Sequence, residues 1–330
     1  MQKLVVTGGA GFIGSALVHK LNTEGIDDII IVDNLSKSEK WRNLLGLRFS
    51  DYLHKNDFLT RISTDTFSFA PQAIVHMGAC SQTTMQDADY LMENNYRYTR
   101  VLADWAVSRG VRFIYASSAA TYGSGNVGFS DEADLRLLRP LNRYGYSKHL
   151  FDLHADRSGL FEKITGLKFF NVFGPNEYHK GDMTSVVFKA FHQINKTDRM
   201  KLFKSHREDY KDGEQMRDFV YIKDCVEVIW WLLMHETVHG LYNLGTGVAR
   251  TWNDLANALF DAMKRVPLID YIEIPEKLRN GYQYFTQASM ERLKKTGCPL
   301  VFRSLEEAVT DYVVKHLATD NHYPCRIDAA

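Results

Sequence analysis

Tyr144 and Lys148 stand four positions apart in Tyr144-Gly145-Tyr146-Ser147-Lys148, so a helix here puts both side chains on one face. A free tyrosine titrates at about 10. A phenol that trades protons near neutral pH needs help, and a neighbouring lysine cation favours the phenolate. Ser118 offers a hydroxyl that could hold the oxygen of a substrate. Tyr-x-x-x-Lys arises by chance in many helices. Here it is joined by Thr7-Gly8-Gly9-Ala10-Gly11-Phe12-Ile13-Gly14 near the start of the chain. Gly8 permits a tight turn, Gly11 a close backbone approach to a pyrophosphate, and Gly14 the packing of a helix on its sheet. The helix N-terminus then faces the anion. Together the two motifs point to redox chemistry on an alcohol.

These side chains need elements to hold them. Leu4-Val5-Val6 reads as a strand before the glycine turn, and a helix is expected from Phe12 to about Leu21. Further strands are expected at Ile29 to Val32, Ala73 to His76, Val111 to Ala116 and Leu167 to Phe170, with a helix from about Asn95 to Ser108. Alternation of this kind implies a parallel sheet covered on both faces. Ligands then bind at the carboxyl ends of the strands, where Gly8, Asp33, Gly78, Ser118 and Asn171 all fall. The second half is less regular. Phe219 to Ile222 reads as a strand returning to the sheet, with a helix after it to Met234, and Tyr242 to Gly247 as a strand and turn. His206 to Gln215 reads as a charged, exposed loop, and Asn253 to Lys264 as a helix. The fold class is therefore α/β: a Rossmann-type, doubly wound parallel sheet with a smaller, discontinuous α/β substrate domain. The expected division gives 1–171, 218–248 and 301–320 to the dinucleotide and 172–217 and 249–300 to the substrate.

Composition adds exclusions. The chain has 330 residues, is 45% hydrophobic and 24% charged, and carries a net charge of +0. Nothing in bulk electrostatics argues for nucleic acid or a membrane surface. The cysteines Cys80, Cys225, Cys298 and Cys325 form no C-x-x-C pair, as expected of reduced thiols in a cytoplasmic protein. The chain opens on a strand, with no signal-peptide pattern, and the apolar stretch from Val228 to Met234 is too short to span a bilayer. His76 and His179 have no partners at ligand spacing and H-E-x-x-H is absent, so no metal is expected.

Local chemistry leaves some choices open. Asp33 ends a strand where NAD-selective sites hold ribose hydroxyls. Asn34, Lys37 and Lys40 follow it, and a lysine there can neutralise a 2′-phosphate. Of Ser117 and Ser118 only one faces the substrate, because side chains alternate along a strand. Asn171 is equally a turn residue or a substrate contact. Lys180, in a polar loop, reads by itself as a solvated lysine.

The glycine motif with Tyr144 and Lys148 resembles the extended short-chain dehydrogenase/reductase superfamily, which includes sugar-nucleotide epimerases and dehydratases. More blocks narrow the resemblance: Met77-Gly78-Ala79-Cys80-Ser81-Gln82-Thr83-Thr84, Glu93-Asn94-Asn95-Tyr96 and Tyr115 to Gly123. Asn171-Val172-Phe173-Gly174-Pro175 with His179-Lys180-Gly181, Arg217-Asp218-Phe219-Val220-Tyr221 and Gly281 to Ala288 extend it to about Leu317. The ensemble is similar to the ADP-heptose 6-epimerases. That resemblance implies inversion at C6″ of an ADP-heptose, a tightly held NADP with NAD as a weaker substitute, and a cytoplasmic homo-oligomer, up to a pentamer. It implies Tyr144, Lys148, Ser118 and Lys180 as catalytic. It places Gly8, Gly11, Phe12, Ile13, Gly14, Asp33, Asn34, Lys40, Lys55, Met77, Gly78, Ala79, Cys80, Ser81, Asn94, Lys148, Val172 and Lys180 around the cofactor. It places Ser118, Asn171, Asp182, Lys189, Phe203, Lys204, Ser205, His206, Arg217 and Tyr282 around the sugar nucleotide. Asp182 stands where a serine is common and Lys189 where a histidine is common, and the loop 206–216 is longer. A sugar-nucleotide 4-epimerase or 4,6-dehydratase is the alternative enzyme. Ala119-Ala120-Thr121 after Ser118 carries no carboxylate pair for eliminating water, which disfavours the dehydratase. A non-catalytic cofactor-sensing module is a third reading, disfavoured by the intact Tyr144/Lys148 pair.

Overall fold

The computed structural model describes residues 3–69, 71–279, 282–299 and 301–319. Gly281 of the last sequence block, Cys325 and the rest of the C-terminal dozen residues past Thr319 lie outside them.

Seven strands form the main sheet: β1 (Leu4–Thr7), β2 (Ile29–Asp33), β3 (Asp51–His54), β4 (Ala73–His76), β5 (Arg112–Ser118), β6 (Ile164–Phe169) and, after three strands that lie elsewhere, β10 (Gly240–Leu244). Their order is β10-β6-β5-β4-β1-β2-β3, and every neighbouring pair is parallel. β1, β2, β4, β5 and β6 are buried at every position, as strands covered on both faces must be. That is why β1, β2 and β4 read as near-continuous apolar runs rather than alternating ones. The order reverses between β1 and β4, and the crevice at such a reversal is where an open α/β sheet takes a ligand.

The strand from 219 does not return to this sheet. β9 (Met216–Tyr221) pairs in parallel with β7 (Asn171–Phe173) and antiparallel with β11 (Ala249–Thr251), a separate three-stranded sheet. The strand that joins the main sheet is β10, beside β6. Apolar content cannot distinguish the two, because both are buried. A further pair, β8 (Met200–Phe203) with β12 (Ile269–Ile272), packs near the Val186–Thr197 and Trp252–Ala262 helices. The edge strand β3 and the Lys55–Ser63 helix were not foreseen, since β3 is only half-buried and has no apolar run. The helix expected from Asn95 begins earlier: Ala88–Leu91 leads through a π-turn at Met92–Arg97 into Tyr98–Ser108. π-turns inside helices mark functional sites often enough that this one matters below. Among the described residues no helix is long and apolar enough to cross a membrane.

Candidate active site

Above the carboxyl ends of β1, β2, β4 and β5 lies a cleft of about 550 Å³. Its floor is the glycine turn. Gly8 has φ +67°, and a Cβ there would stand 2.6 Å from the amide nitrogen of Gly78. A Cβ on Gly14 would stand 2.1 Å from the Gly8 carbonyl oxygen. The Phe12–Thr23 helix starts at Gly11 with no side-chain cap and no acid in its first turn, so its amides and dipole are left for an anion. This cradle fits a dinucleotide pyrophosphate. At the far end both Asp33 carboxylate oxygens are taken. Ala10 N donates to Oδ2 at 2.8 Å, while Asn34 N and Lys40 Nζ donate to Oδ1, each at 2.6 Å. Lys55 Nζ donates to Asn94 Oδ1 at 2.6 Å. Burial and the nearby Lys40 charge lower the Lys55 pKa, against the pull of Asp33. On the π-turn, buried Asn95 accepts from Cys80 N (2.8 Å), donates to Cys80 O (3.0 Å) and donates to Ser147 Oγ (2.9 Å). It holds the Gly78–Ser81 wall against the helix that carries Tyr144. Asn95 stands inside a block quoted above, yet nothing in its type marked it for this task.

Tyr144 and Lys148 lie on the Arg143–Arg157 helix, capped by Asn142 onto Gly145 N at 2.7 Å, and both line the cleft. The Tyr144 hydroxyl is hydrogen-bonded to the Ser118 side chain. Ser118 Oγ also accepts from Ala120 N at 3.1 Å. Ser117 faces the other way, donating to Asp152 Oδ2 at 2.7 Å. The alternation along β5 therefore selects Ser118. Asp152 and Lys168 are 0% exposed and 2.7 Å apart, and Tyr115 and Thr121 complete their shell at 2.7 and 2.6 Å. Such a pair is costly to break from one side only. Lys148 Nζ donates to the Ala116 carbonyl at 2.8 Å, and burial lowers its pKa to about 8 against the pull of Asp152. Tyr144 departs from the expected direction. Its pKa is raised, because burial outweighs the Ser118 hydrogen bond that lowers it. His76 is fixed between Thr7 Oγ1 (2.5 Å) and Thr99 Oγ1 (2.9 Å), and burial lowers its pKa to about 3. It is a neutral core histidine.

Lys180 is not a solvated loop lysine. It lines the cleft on the Tyr178–Met183 turn, with its ammonium 5.1 Å from the centre of the Phe12 ring. Burial lowers its pKa, and Glu177 partly restores it. His179 lines the same wall, although sequence reasoning had set it aside. Burial, with Lys40 and Lys180 nearby, lowers its pKa to about 4, so it is neutral.

A second cluster lies on the smaller sheets. Arg217 is buried, with its guanidinium 5.6 Å from the Trp252 ring centre and 5.3 Å from that of Tyr282. It donates to the carbonyls of Met216 (2.8 Å) and Gln283, and has no carboxylate ion-pair partner among the described residues. The Tyr282 ring stands 6.0 Å from that of Phe203. Gln215 holds the carbonyls of Phe203 and Lys204, and Tyr284 accepts from His206 N at 2.9 Å. A buried cation among aromatic rings, satisfied only by carbonyls, is suited to receive an anion.

Residues 4–245 match the NAD dependent epimerase/dehydratase family. The ADP-L-glycero-D-manno-heptose-6-epimerase of Nitratidesulfovibrio vulgaris is 58% identical over 315 residues, 95% of this chain and 98% of its own. That of Fusobacterium nucleatum is 45% identical over 97% of this chain and 99% of its own. The chain belongs to the ADP-L-glycero-D-manno-heptose-6-epimerase family. The solved structure of the Helicobacter pylori ADP-L-glycero-D-manno-heptose-6-epimerase is similar, with a TM-score of 0.80 at 28% identity over 94% of this chain and 95% of that one. Membership brings a nicotinamide dinucleotide as cofactor, and the glycine cradle accommodates it.

The family residues divide between the two places. All the cofactor candidates line the cleft except Val172, which sits in β7 with its amide on Phe170 O at 3.0 Å. Ser118 reaches the cleft through Tyr144. Phe203, Lys204, Ser205, His206, Arg217 and Tyr282 belong to the second cluster rather than the cleft wall. Asp182 and Lys189, the two departures from the family pattern, meet each other: Lys189 Nζ donates to the Asp182 carbonyl at 2.5 Å. Asn171 is exposed at the start of β7. Tyr90, Tyr98 and Met183 also line the cleft, and no motif pointed to them.

Proposed function

We propose that the protein is an isomerase that converts ADP-D-glycero-D-manno-heptose to ADP-L-glycero-D-manno-heptose by inverting C6″. The observation that carries the reading is 58% identity over 95% of the chain to relatives of that name. The Tyr144–Ser118 contact in the dinucleotide cleft supports it. A bound nicotinamide supplies a reversible acceptor for the C6″ hydride. Tyr144 takes the proton of the C6″ hydroxyl as that carbon becomes a ketone between C5″ and C7″. Ser118 Oγ holds the ketone oxygen. The ketone turns over, hydride returns to its other face, and Lys180 handles the proton on that side. Bonds and electrons balance with no net oxidation. Arg217 and Tyr282, with the 203–206 turn, receive the ADP half, and Asn171 and the Asp182/Lys189 pair lie between. The smaller sheets act as the substrate domain, which takes in the whole of β7 and β9 and so spans about 171–221, rather than ending at 217, together with about 249–300.

The favoured cofactor is NADP. An NAD site needs the carboxylate of Asp33 for the ribose hydroxyls. Here the backbone and Lys40 already use both oxygens, and Lys40 neutralises the charge that would repel a 2′-phosphate. Lys40→Ala is expected to weaken NADP binding about 10- to 100-fold, the worth of one charge-assisted contact, and to shift preference toward NAD. Nucleotide released from denatured protein and identified by mass, with binding titrations of the variant, checks this. Recovery of NAD(H) alone with no effect of Lys40→Ala overturns it.

NMR of ADP-heptose incubated with the protein in deuterated water tests the reaction itself. Inversion at C6″ without deuterium at that carbon is the expected result. Label at C6″, or chemistry at C4″, replaces the reading with enolisation or with a 4-epimerase. The dehydratase alternative stays disfavoured, since Thr121 is occupied by Ser118 O and Lys168.

Activity is expected to fall as pH rises through about 8. The Lys148 ammonium gives up its proton there, and with it the positive charge beside Tyr144. The kcat/KM profile measures this limb, and Lys148→Arg, which stays charged, is expected to move it to higher pH. An identical limb in that variant assigns it to another group.

A further inference from the structure

We propose that Asn43 is a positioning residue that closes a strap over the dinucleotide, tying the turn that carries Lys40 to the turn that carries Lys180. The proposal rests on the cofactor reading above and extends it to a residue that no motif singled out.

Asn43 sits on the Glu39–Leu44 turn, whose neighbouring side chains Trp41 and Leu45 are 44% and 60% exposed. Asn43 itself is 5% exposed. Its Nδ2 donates to the Ala10 carbonyl in the glycine turn at 3.0 Å and to the Asn176 carbonyl at 3.0 Å. It also faces His179 Nδ1 at 3.3 Å. One amide thus touches the cradle floor and both ends of the segment that leads into Lys180. His179 is neutral, and its ring also hydrogen-bonds the Asn176 backbone that Asn43 holds. The charged groups facing this histidine are Lys40, Lys180 and Asp33.

The two turns are rooted unequally. The Lys180 turn is anchored from behind. Asn176 Nδ2 donates to Ser15 Oγ at 3.0 Å, and buried Glu177 accepts from Ser185 Oγ at 2.7 Å and from Tyr312 OH at 3.0 Å. The Lys40 turn packs half-buried Leu44 on the core, leaves Trp41 and the flanking Leu45 exposed, and is joined to the cleft by Lys40–Asp33 and by Asn43. With less buried surface and fewer buried anchors than the Lys180 turn, it is the easier of the two to open. Closing this turn keeps the cofactor in place through a cycle in which it is oxidised and reduced without leaving. It also sets the distance between the 2′-phosphate end and Lys180.

The test is the rate of cofactor release. Protein loaded with NADPH is chased with excess NADP⁺ and the loss of bound-nucleotide fluorescence is followed. Asn43→Ala is expected to release about 10- to 100-fold faster, because buried carbonyls lose their donor. Asn43→Gln, still a donor, is expected to recover part of the retention. Asn22→Ala serves as the structural control: Asn22 lies at the end of the Phe12–Thr23 helix away from the glycine turn, outside the cleft lining, where it staples Ile26 O and Arg48 O, each at 2.9 Å. It is expected to lower Tm while leaving release unchanged. Lys40→Ala separates the proposal from the reading beneath it. Faster release from Lys40→Ala with wild-type release from Asn43→Ala overturns the strap and leaves the cofactor reading standing. No effect of Lys40→Ala on NADPH binding or release overturns both. Equal acceleration in Asn22→Ala at matched Tm also overturns the strap, since general loosening then explains it. If Asn43→Ala does not fold, Asn43→Ser and Asn43→Gln supply the graded series, and equal release rates across it overturn the proposal.

Discussion

Tyr144→Phe is expected to lower epimerisation by about 10²- to 10⁴-fold, the usual contribution of a positioned acid–base group. The substitution removes one hydroxyl and keeps the ring in the cleft wall. The Ser118 side chain is the hydroxyl's hydrogen-bonding partner, so the helix, its Asn142 cap and the buried Asp152–Lys168 pair are left intact. Binding of ADP-heptose and of the cofactor is therefore expected to stay within about tenfold, inside the range of one lost neutral hydrogen bond. Initial rates by NMR beside binding titrations measure both quantities. A rate within tenfold of wild type removes Tyr144 from the proton transfer. The raised pKa of this phenol gives the result its interest. Burial dominates, so Tyr144 is protonated at neutral pH and is ready as an acid for the reduction half. Its use as a base depends on charge brought beside it, from Lys148 and from the cofactor.

Lys180→Met is expected to abolish epimerisation to a similar degree while substrate still binds. Methionine keeps an unbranched apolar stem against Phe12, 5.1 Å from the present ammonium, and loses only the amine. The physical case is geometric. Hydride must reach both faces of the C6″ ketone from one fixed nicotinamide, so the ketone oxygen points to two different places. A proton donor works only within about 3 Å. In the proposed mechanism Tyr144 with Ser118 covers one place, and Lys180, on the separate Tyr178–Met183 turn, covers the other. Burial lowers the Lys180 pKa, which raises the fraction of neutral amine able to accept a proton. The two variants are expected to keep opposite half-reactions, tested on aldehyde analogues or on the separate C6″ epimers. Near wild-type turnover by Lys180→Met leaves Tyr144 to serve both faces.

Local patterns were legible in the residues themselves. Apolar runs at β1, β2 and β4 are dictated by a sheet covered on both sides, and glycines at 8 and 14 by a backbone that admits no Cβ. The four-residue step from Tyr144 to Lys148 needs only a helix. Each of these is a rule of short range, so the order of residues suffices. Family resemblance carried Lys180 and Arg217, whose local surroundings say little. β9 was misplaced because burial alone does not say which sheet a strand joins.

What tertiary structure decided is everything that depends on residues far apart in the chain. Whether Ser117 or Ser118 faces the site follows from Asp152, which claims Ser117 from 35 positions away. The occupation of Asp33 by Ala10 N and Lys40, on which the proposed preference for NADP rests, brings three elements together. The direction of the Tyr144 pKa reverses because desolvation depends on how completely the surrounding walls exclude water. Asn43 carries no motif and His179 entered only as part of a family block, yet the two meet across 136 positions. The order of residues determined which groups are present and which neighbours share a helix or strand. Only the closed chain determined which of them lose water, and so which are neutral, which are charged and which are already spoken for.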